Sequence, residues 1–230
     1  MALHVAPKWL FTRRVPARNV TPTTMECADM PGPGSITRRQ MMASALTGIA
    51  AIPLLPIADA LAAGPARTLA GTDIVLPAGD IHDFDFFVGH WNFINHRLKQ
   101  RWVGSDEWET FPASLRCGSH LGGVVNIDEG VFPTKGWSGM TVRVFNLQQR
   151  QWYLYWINSS SGELFPPVVG GFTGDHGEFY GDDTDDGRPI KVRFRWTRLG
   201  PDKAHWEQAF SLDGKQWETN WKMEHTRAAG

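Results

Sequence analysis

Cysteine is scarce: Cys27 and Cys117 are the two in 230 residues. With Cys27 near the N-terminus and Cys117 alone in the remainder, no internal disulfide is available to the folded part, and no C-x-x-C redox or zinc pattern exists. Charge of one sign is scarce too, since 23 Lys and Arg balance 24 Asp and Glu. Removing residues 1–64 leaves 17 of those bases and 21 of those acids, so no basic excess suggests a nucleic-acid partner. Nucleotide-binding glycine patterns (G-x-G-x-x-G, G-x-x-x-x-G-K-[ST]), the H-E-x-x-H zinc pattern and the G-x-S-x-G nucleophile elbow are all missing. Beyond residue 64 no apolar period of helical length occurs.

The first 64 residues read as a leader. Residues 1–34 are rich in Pro, Thr and small side chains without periodicity. Then Arg38-Arg39 precede an uncharged run ending in Ala58-Asp59-Ala60-Leu61-Ala62. That order resembles a twin-arginine export signal with an A-x-A cleavage site. The competing reading is a membrane span, and Pro53, Pro56, Gly48, Ser44 and Thr47 weaken it. The expectation is a periplasmic or secreted protein with no stable span after processing. Residues 65–81 read as a loop and residues 82–227 as one domain.

Within that domain, short apolar-alternating runs are separated by turn residues. Strands are expected at 87–98, 103–115, 120–132, 139–147, 151–158, 165–173, 177–184, 189–199, 203–212 and 216–226. Asp186-Gly187 and Asp213-Gly214 tolerate the positive φ of tight hairpins. Successive hairpins make an antiparallel meander, which escapes exposed edges by closing on itself. The fold class is therefore all-β, an antiparallel up-and-down β-barrel of about eight to ten strands. Trp91, beside Gly89 at the start of the first strand, is placed as the plug of one end.

Ten of the 11 Trp lie beyond residue 64. Strand 189–199 places Ile190, Val192, Phe194 and Trp196 inward, and 203–212 adds Trp206 with the polar Gln208. Strand 216–226 adds Trp217, Trp221 and Thr219. Strand 151–158 is apolar on both faces, so its outer face is either covered by the preceding loop or meets a second protomer in a homodimer. Gly122, Gly123, Gly170 and Gly171 are read as wall positions that free interior volume.

Asp182, Asp183, Asp185 and Asp186 fail the calcium-loop pattern, because Arg193 stands where a bidentate Glu belongs, and they read as a solvated hairpin tip. The seven His beyond residue 64 show no metal-ligand spacing, with His96 the one to watch in the first strand; no metal or cofactor is expected. Cys117 reads as buried filler.

The segments FDFFVGHW, LGGVVNIDEGVF, QWYLYWINSSSGEL, GEFYGDDTDDGRPIKVRF, HWEQAFSLDG and WETNW run from Asp83 toward Arg227. Together they resemble a bacterial family of undefined function grouped with the calycins, the lipocalin-like barrels. The resemblance implies an internal cavity for a small hydrophobic ligand, and an end closed by a basic side chain over the first-strand Trp, here Arg227 over Trp91. Combining apolar walls with convergent polar groups, the expected site has Tyr155, Trp156, Trp206 and Trp221 as walls and Asn126, Arg143 and Gln208 as orienting groups for a small apolar or aromatic ligand. Two alternatives stand beside this binder. One is a hydrolase or isomerase using the same cavity, with Glu129 or Asp182 as base and Arg143 holding an anion. The other is an interaction or assembly protein with a filled barrel.

Overall fold

The computed structural model describes residues 66–229; Cys27, Arg38, Arg39 and the rest of the leader lie outside the described residues. Ten strands follow one another: β1 (Gly89–Leu98), β2 (Trp108–His120), β3 (Val125–Phe132), β4 (Trp137–Asn146), β5 (Gln151–Asn158), β6 (Val168–Thr173), β7 (His176–Asp185), β8 (Arg188–Arg198), β9 (Lys203–Ser211) and β10 (Glu218–Arg227). Every neighbouring pair is antiparallel, and β10 returns onto β1, with Trp91 opposite Arg227 and Arg97 opposite Trp221. The closed barrel leaves no edge strand unpaired. It is consistent with a calycin- or lipocalin-like fold.

Local chemistry explains the turns. Asp186 and Gly187 both take positive φ, 54° and 78°, as a two-residue hairpin requires. Asp213-Gly214 instead lies within a longer loop, where the Asp213 carboxylate accepts the Lys215 and Gln216 amides. The second strand is displaced from its expected range. Trp102 and Gly104 adopt positive φ in a loop, so β2 begins at Trp108 and runs on through Gly118. Gly122 and Gly123 consequently sit in the turn after β2, with φ of 66° and 96°, and are not wall positions. Gly170 and Gly171 are in β6, but a Cβ on Gly170 would strike the Glu178 carbonyl and one on Gly171 the Gly79 backbone. Close backbone approach, not interior room, is what these two glycines allow.

The chain enters at one end of the barrel and closes it. A short 3-10 turn, Asp85–Phe87, drops Phe84 and Phe87 into that end. Phe84 meets Trp152 edge-on at 5.1 Å and Phe172 at 5.3 Å, while Phe87 meets Trp196 at 4.8 Å. Trp91 is fully buried and donates its indole N–H to the Phe87 carbonyl at 2.8 Å. The Arg227 guanidinium lies 4.4 Å from the Trp91 ring centroid and donates to the Val88 and Phe86 carbonyls. Gly89 makes room for this, since its φ is +121° and a Cβ there would come within 3.0 Å of Arg227 Nη1.

Residues 66–78 pack outside the wall. A bridge pairs Thr68 with Val75, and Leu69 and Leu76 form a second apolar cluster with Val169, Tyr180, Ile74, Tyr153 and Trp217. The aromatic outer face of β5 that suggested a second protomer is thus covered at Tyr153 by the chain's own segment. Trp217 belongs to this outer cluster because the β9–β10 register shifts between Thr219 and Trp221. The irregularity breaks the period-2 count, leaving Trp221 inward while Thr219 lies opposite Ala209.

Candidate functional site

The closed half of the interior is filled, and a charged network is locked into it. Arg143 on β4 pairs with Asp128 on β3, and its Nη1 donates to Asn126 Oδ1 at 2.8 Å. Cys117 on β2 donates to the same oxygen at 3.2 Å. The guanidinium carbon lies 4.8, 5.3 and 5.9 Å from the ring centroids of Phe84, Phe87 and Trp196. Burial pushes the Cys117 thiol up to about 11, which suits an unreactive packed group. His225 on β10 stacks on Phe93 at 4.9 Å and on Trp196 at 5.4 Å. Burial holds its pKa down to about 3, so the ring is neutral in the fold. Asn126 and Arg143 therefore serve one another and Asp128 at the closed end.

The other half is different in kind. Trp137 on β4, Trp156 on β5, Phe194 on β8 and Trp221 and Met223 on β10 pack onto the core yet are only partly buried. Their strands place them on the inner face, alternating with residues such as Lys191, Arg193 and Lys222 on the outer one. An aromatic belt on the inner face of the wall is therefore incompletely buried. Trp137 stacks on Phe132 at 3.9 Å and stands edge-on to Trp221 at 6.3 Å and to Trp156 at 6.5 Å. Trp221 in turn meets Trp206 at 6.0 Å, and Trp206 meets Phe194 at 5.0 Å. Trp156 owes its pose to Gly139, where any Cβ would collide with the indole.

Polar groups fix this belt and line it. Asn95, fully buried, accepts the Trp221 indole N–H at 2.9 Å and donates to the Phe111 carbonyl at 3.2 Å. Gln208 donates to Asn220 Oδ1 at 2.8 Å, while the buried Asn220 Nδ2 has no hydrogen-bond partner. At the rim, Arg97 and Lys135 both bind Glu109, each at 2.5 Å. Burial raises the Glu109 carboxyl, but the hydrogen bonds and positive charges of Lys135 and Arg97 together outweigh it and hold it below its ordinary range.

The β1–β2 loop crosses part of this open end. Arg101 and the Trp102 indole both donate to Asp185, at 2.6 Å each, and the Trp102 amide donates to Glu218. Asp183, on β7 opposite β2 around the barrel, has no cationic partner among the described residues. Burial, then the nearby Glu163 and Asp185, raise its pKa against the pull of the Thr184 amide.

Of the residues expected to bind ligand, Trp156, Trp206, Gln208 and Trp221 come together in the open half, while Asn126 and Arg143 lie deep in the closed half. Tyr155 falls on the outer face of β5, because its neighbours Leu154 and Trp156 belong to the core. Glu129 is exposed on the outer face of β3, and Asp182 is engaged by Lys191 at 2.5 Å. Neither faces the interior as a general base would have to. His96 is also outside, 3.1 Å from the Thr110 hydroxyl. Sequence reasoning missed Trp137, Asn95 and the Arg97–Glu109–Lys135 cluster. Strand parity alone could have found Asn95, which shares the inward face of β1 with Trp91 and Phe93.

A groove of about 250 Å³ also lies on the outer wall, lined by His90, Asn92, Ser114, Arg116, Glu129 and Val131. Among the described residues no helix is long and apolar enough to cross a membrane, and no group of three His, Cys, Asp or Glu side chains is placed to hold a metal. Comparison of the chain with protein-family models and with curated proteins returns no match to either.

Proposed function

We propose that this is an exported, calycin-like binder of a small, largely apolar or aromatic molecule, held in the aromatic cup at the open end of the barrel. The observation that carries the reading is the incomplete burial of Trp137, Trp156, Phe194 and Trp221, which face inward and pack on the core without being buried in it. Each keeps part of its apolar surface in water, and a ligand covering that part would gain roughly 25 cal/mol per Å² of the area it buries. The closed half supports the same reading by contrast. There the wall is packed and the Arg143–Asp128 pair is buried, so the two halves differ in how completely their inner faces are covered. The export half of the proposal rests on Arg38-Arg39 and the uncharged run behind them. Because Trp91 and Arg227 shut the opposite end, ligand would enter past the β1–β2 loop.

The test is a screen of small aromatic and apolar compounds by thermal shift and tryptophan fluorescence, repeated on Trp221→Leu and Trp137→Leu. Binders that raise the melting temperature of the wild type and lose affinity in both variants support the cup. Binders unaffected by both substitutions place the site elsewhere, the outer groove being the first alternative. Export is checked separately by fractionating cells that express Arg38→Lys/Arg39→Lys, which should retain the protein in the cytoplasm.

A further inference from the structure

The rim of the cup carries charge of unequal sign on its two sides. On the β1–β2 side two cations share one carboxylate: Arg97 Nη2 and Lys135 Nζ each reach Glu109 at 2.5 Å, and among the described residues no other carboxylate pairs with either. All three are only about a quarter exposed, at 29%, 25% and 27%, so the excess positive charge is poorly screened by solvent. It also touches the aromatic wall directly. The Arg97 guanidinium lies 5.5 Å from the Trp221 ring centroid and 5.4 Å from that of Phe111, and Lys135 Nζ lies 4.6 Å from Phe111. Across the barrel, β7 presents Asp183, a carboxylate with no cationic partner among the described residues.

Building on the cup reading above, we propose that the ligand is an organic acid: an aromatic or apolar body in the Trp137–Trp156–Trp221 cup, with its carboxylate at the rim between Arg97 and Lys135. Arg97 commits Nε and Nη2 to a single Glu109 oxygen, which leaves Nη1 for a second acceptor. Guanidinium geometry suits a planar carboxylate. Lys135, as a point charge with three donors, can serve Glu109 and the ligand at once. Asp183 on the far wall repels the acid group and so fixes which way round the ligand lies. In this arrangement Glu109 does two jobs. It holds both cations in place while the site is empty, and it competes with the ligand for them.

The experiment uses three matched probes that share one naphthalene body: 1-naphthylacetate, 2-(1-naphthyl)ethanol and 2-(1-naphthyl)ethylamine. Each is titrated against the full chain by quenching of tryptophan fluorescence, at low salt and at high salt. The acetate is expected to bind about tenfold tighter than the alcohol, the step that one charge-assisted hydrogen bond of this kind supplies. High salt should shrink that ratio. Arg97→Met and Lys135→Met, which keep the apolar stems, should each reduce acetate affinity toward that of the alcohol while leaving the alcohol's own affinity in place. Glu109→Gln should strengthen acetate binding, a gain that misfolding cannot imitate. Equal binding of all three probes, lost in Trp221→Leu, would overturn the acid assignment and leave the cup standing. Preference for the amine, abolished by Asp183→Asn, would overturn it in favour of a cationic ligand. No binding of any probe would sink both the acid assignment and the cup.

Discussion

Removing Asp128 should be among the most damaging single changes to this protein, and removing its partner at the same time should undo most of the damage. The side chains of Arg143 and Asp128 are 3% and 5% exposed, so neither charge has water to fall back on. In Asp128→Ala the guanidinium keeps Asn126 Oδ1 and the faces of Phe84, Phe87 and Trp196, but it loses the one carboxylate paired with it among the described residues. Breaking a buried pair from one side typically costs ~3–5 kcal/mol, because the remaining ion is left uncompensated. Ring faces return ~0.5–2 kcal/mol each at best, and those contacts already exist in the wild type, so they do not offset the loss. For a folded domain of this size the drop in melting temperature is about 2–4 °C per kcal/mol. The double variant Asp128→Leu/Arg143→Met replaces the pair with apolar side chains of similar volume and should recover all but ~1–2 kcal/mol. Urea unfolding is measured for the wild type and Asp128→Ala, and the cycle is closed with Asp128→Leu, Arg143→Met and the double variant. A cost below ~1 kcal/mol for Asp128→Ala, or a double variant as unstable as the sum of the singles, would refute the claim that the closed half is a dry, filled core.

Four further outcomes follow from the same geometry. Trp91→Ala should cost ~3–5 kcal/mol in urea unfolding through the cavity it leaves. Arg227→Ala, which loses the stacking and the carbonyl bonds but little volume, should cost ~1–2 kcal/mol. His225 is neutral in the fold with its pKa held down to about 3, whereas the unfolded chain takes up the proton near 6.5. The unfolded state therefore binds more protons between those values, and stability falls as pH drops from about 6.5 toward 3. In His225→Phe that one-proton slope should disappear. His205 works in the opposite sense, because donating to the Glu207 and Glu224 carboxylates raises it, so the difference between wild type and His225→Phe is the quantity to measure. Gly139→Ala should displace the Trp156 indole, seen as a changed near-ultraviolet circular dichroism spectrum and weaker binding in the cup.

Much of the barrel was legible because its rules are local. Alternation gave the number and order of the ten strands, with β2 displaced, and β5 covers the period-2 run at 151–158. What alternation could not supply was anything requiring a change of phase. The irregularity at Asn220 turns Trp217 out and Trp221 in, although both carry the same parity in sequence. The turn after β2 was expected between residues 115 and 120, yet the Leu121–Gly123 triplet has the positive φ values that reverse the chain. Charged side chains were harder still. Arg143 stood out as a lone cation in an apolar strand, but its partner Asp128 looks the same on an inner or an outer face. Only the β3–β4 register, with Asp128 opposite Thr141 and Asn126 opposite Arg143, brings them together. Arg97, Glu109 and Lys135 come from β1, β2 and the β3–β4 turn, so no spacing in the sequence announces them.

Native mass spectrometry of the full chain, purified from cells that export it, tests the central claim most directly. The account predicts one small organic molecule bound per chain, released on denaturation and absent when Trp137 and Trp221 are both replaced by Ala. A wild-type protein that flies only as the bare chain, and stays bare after incubation with aromatic acids and their neutral analogues, would contradict it.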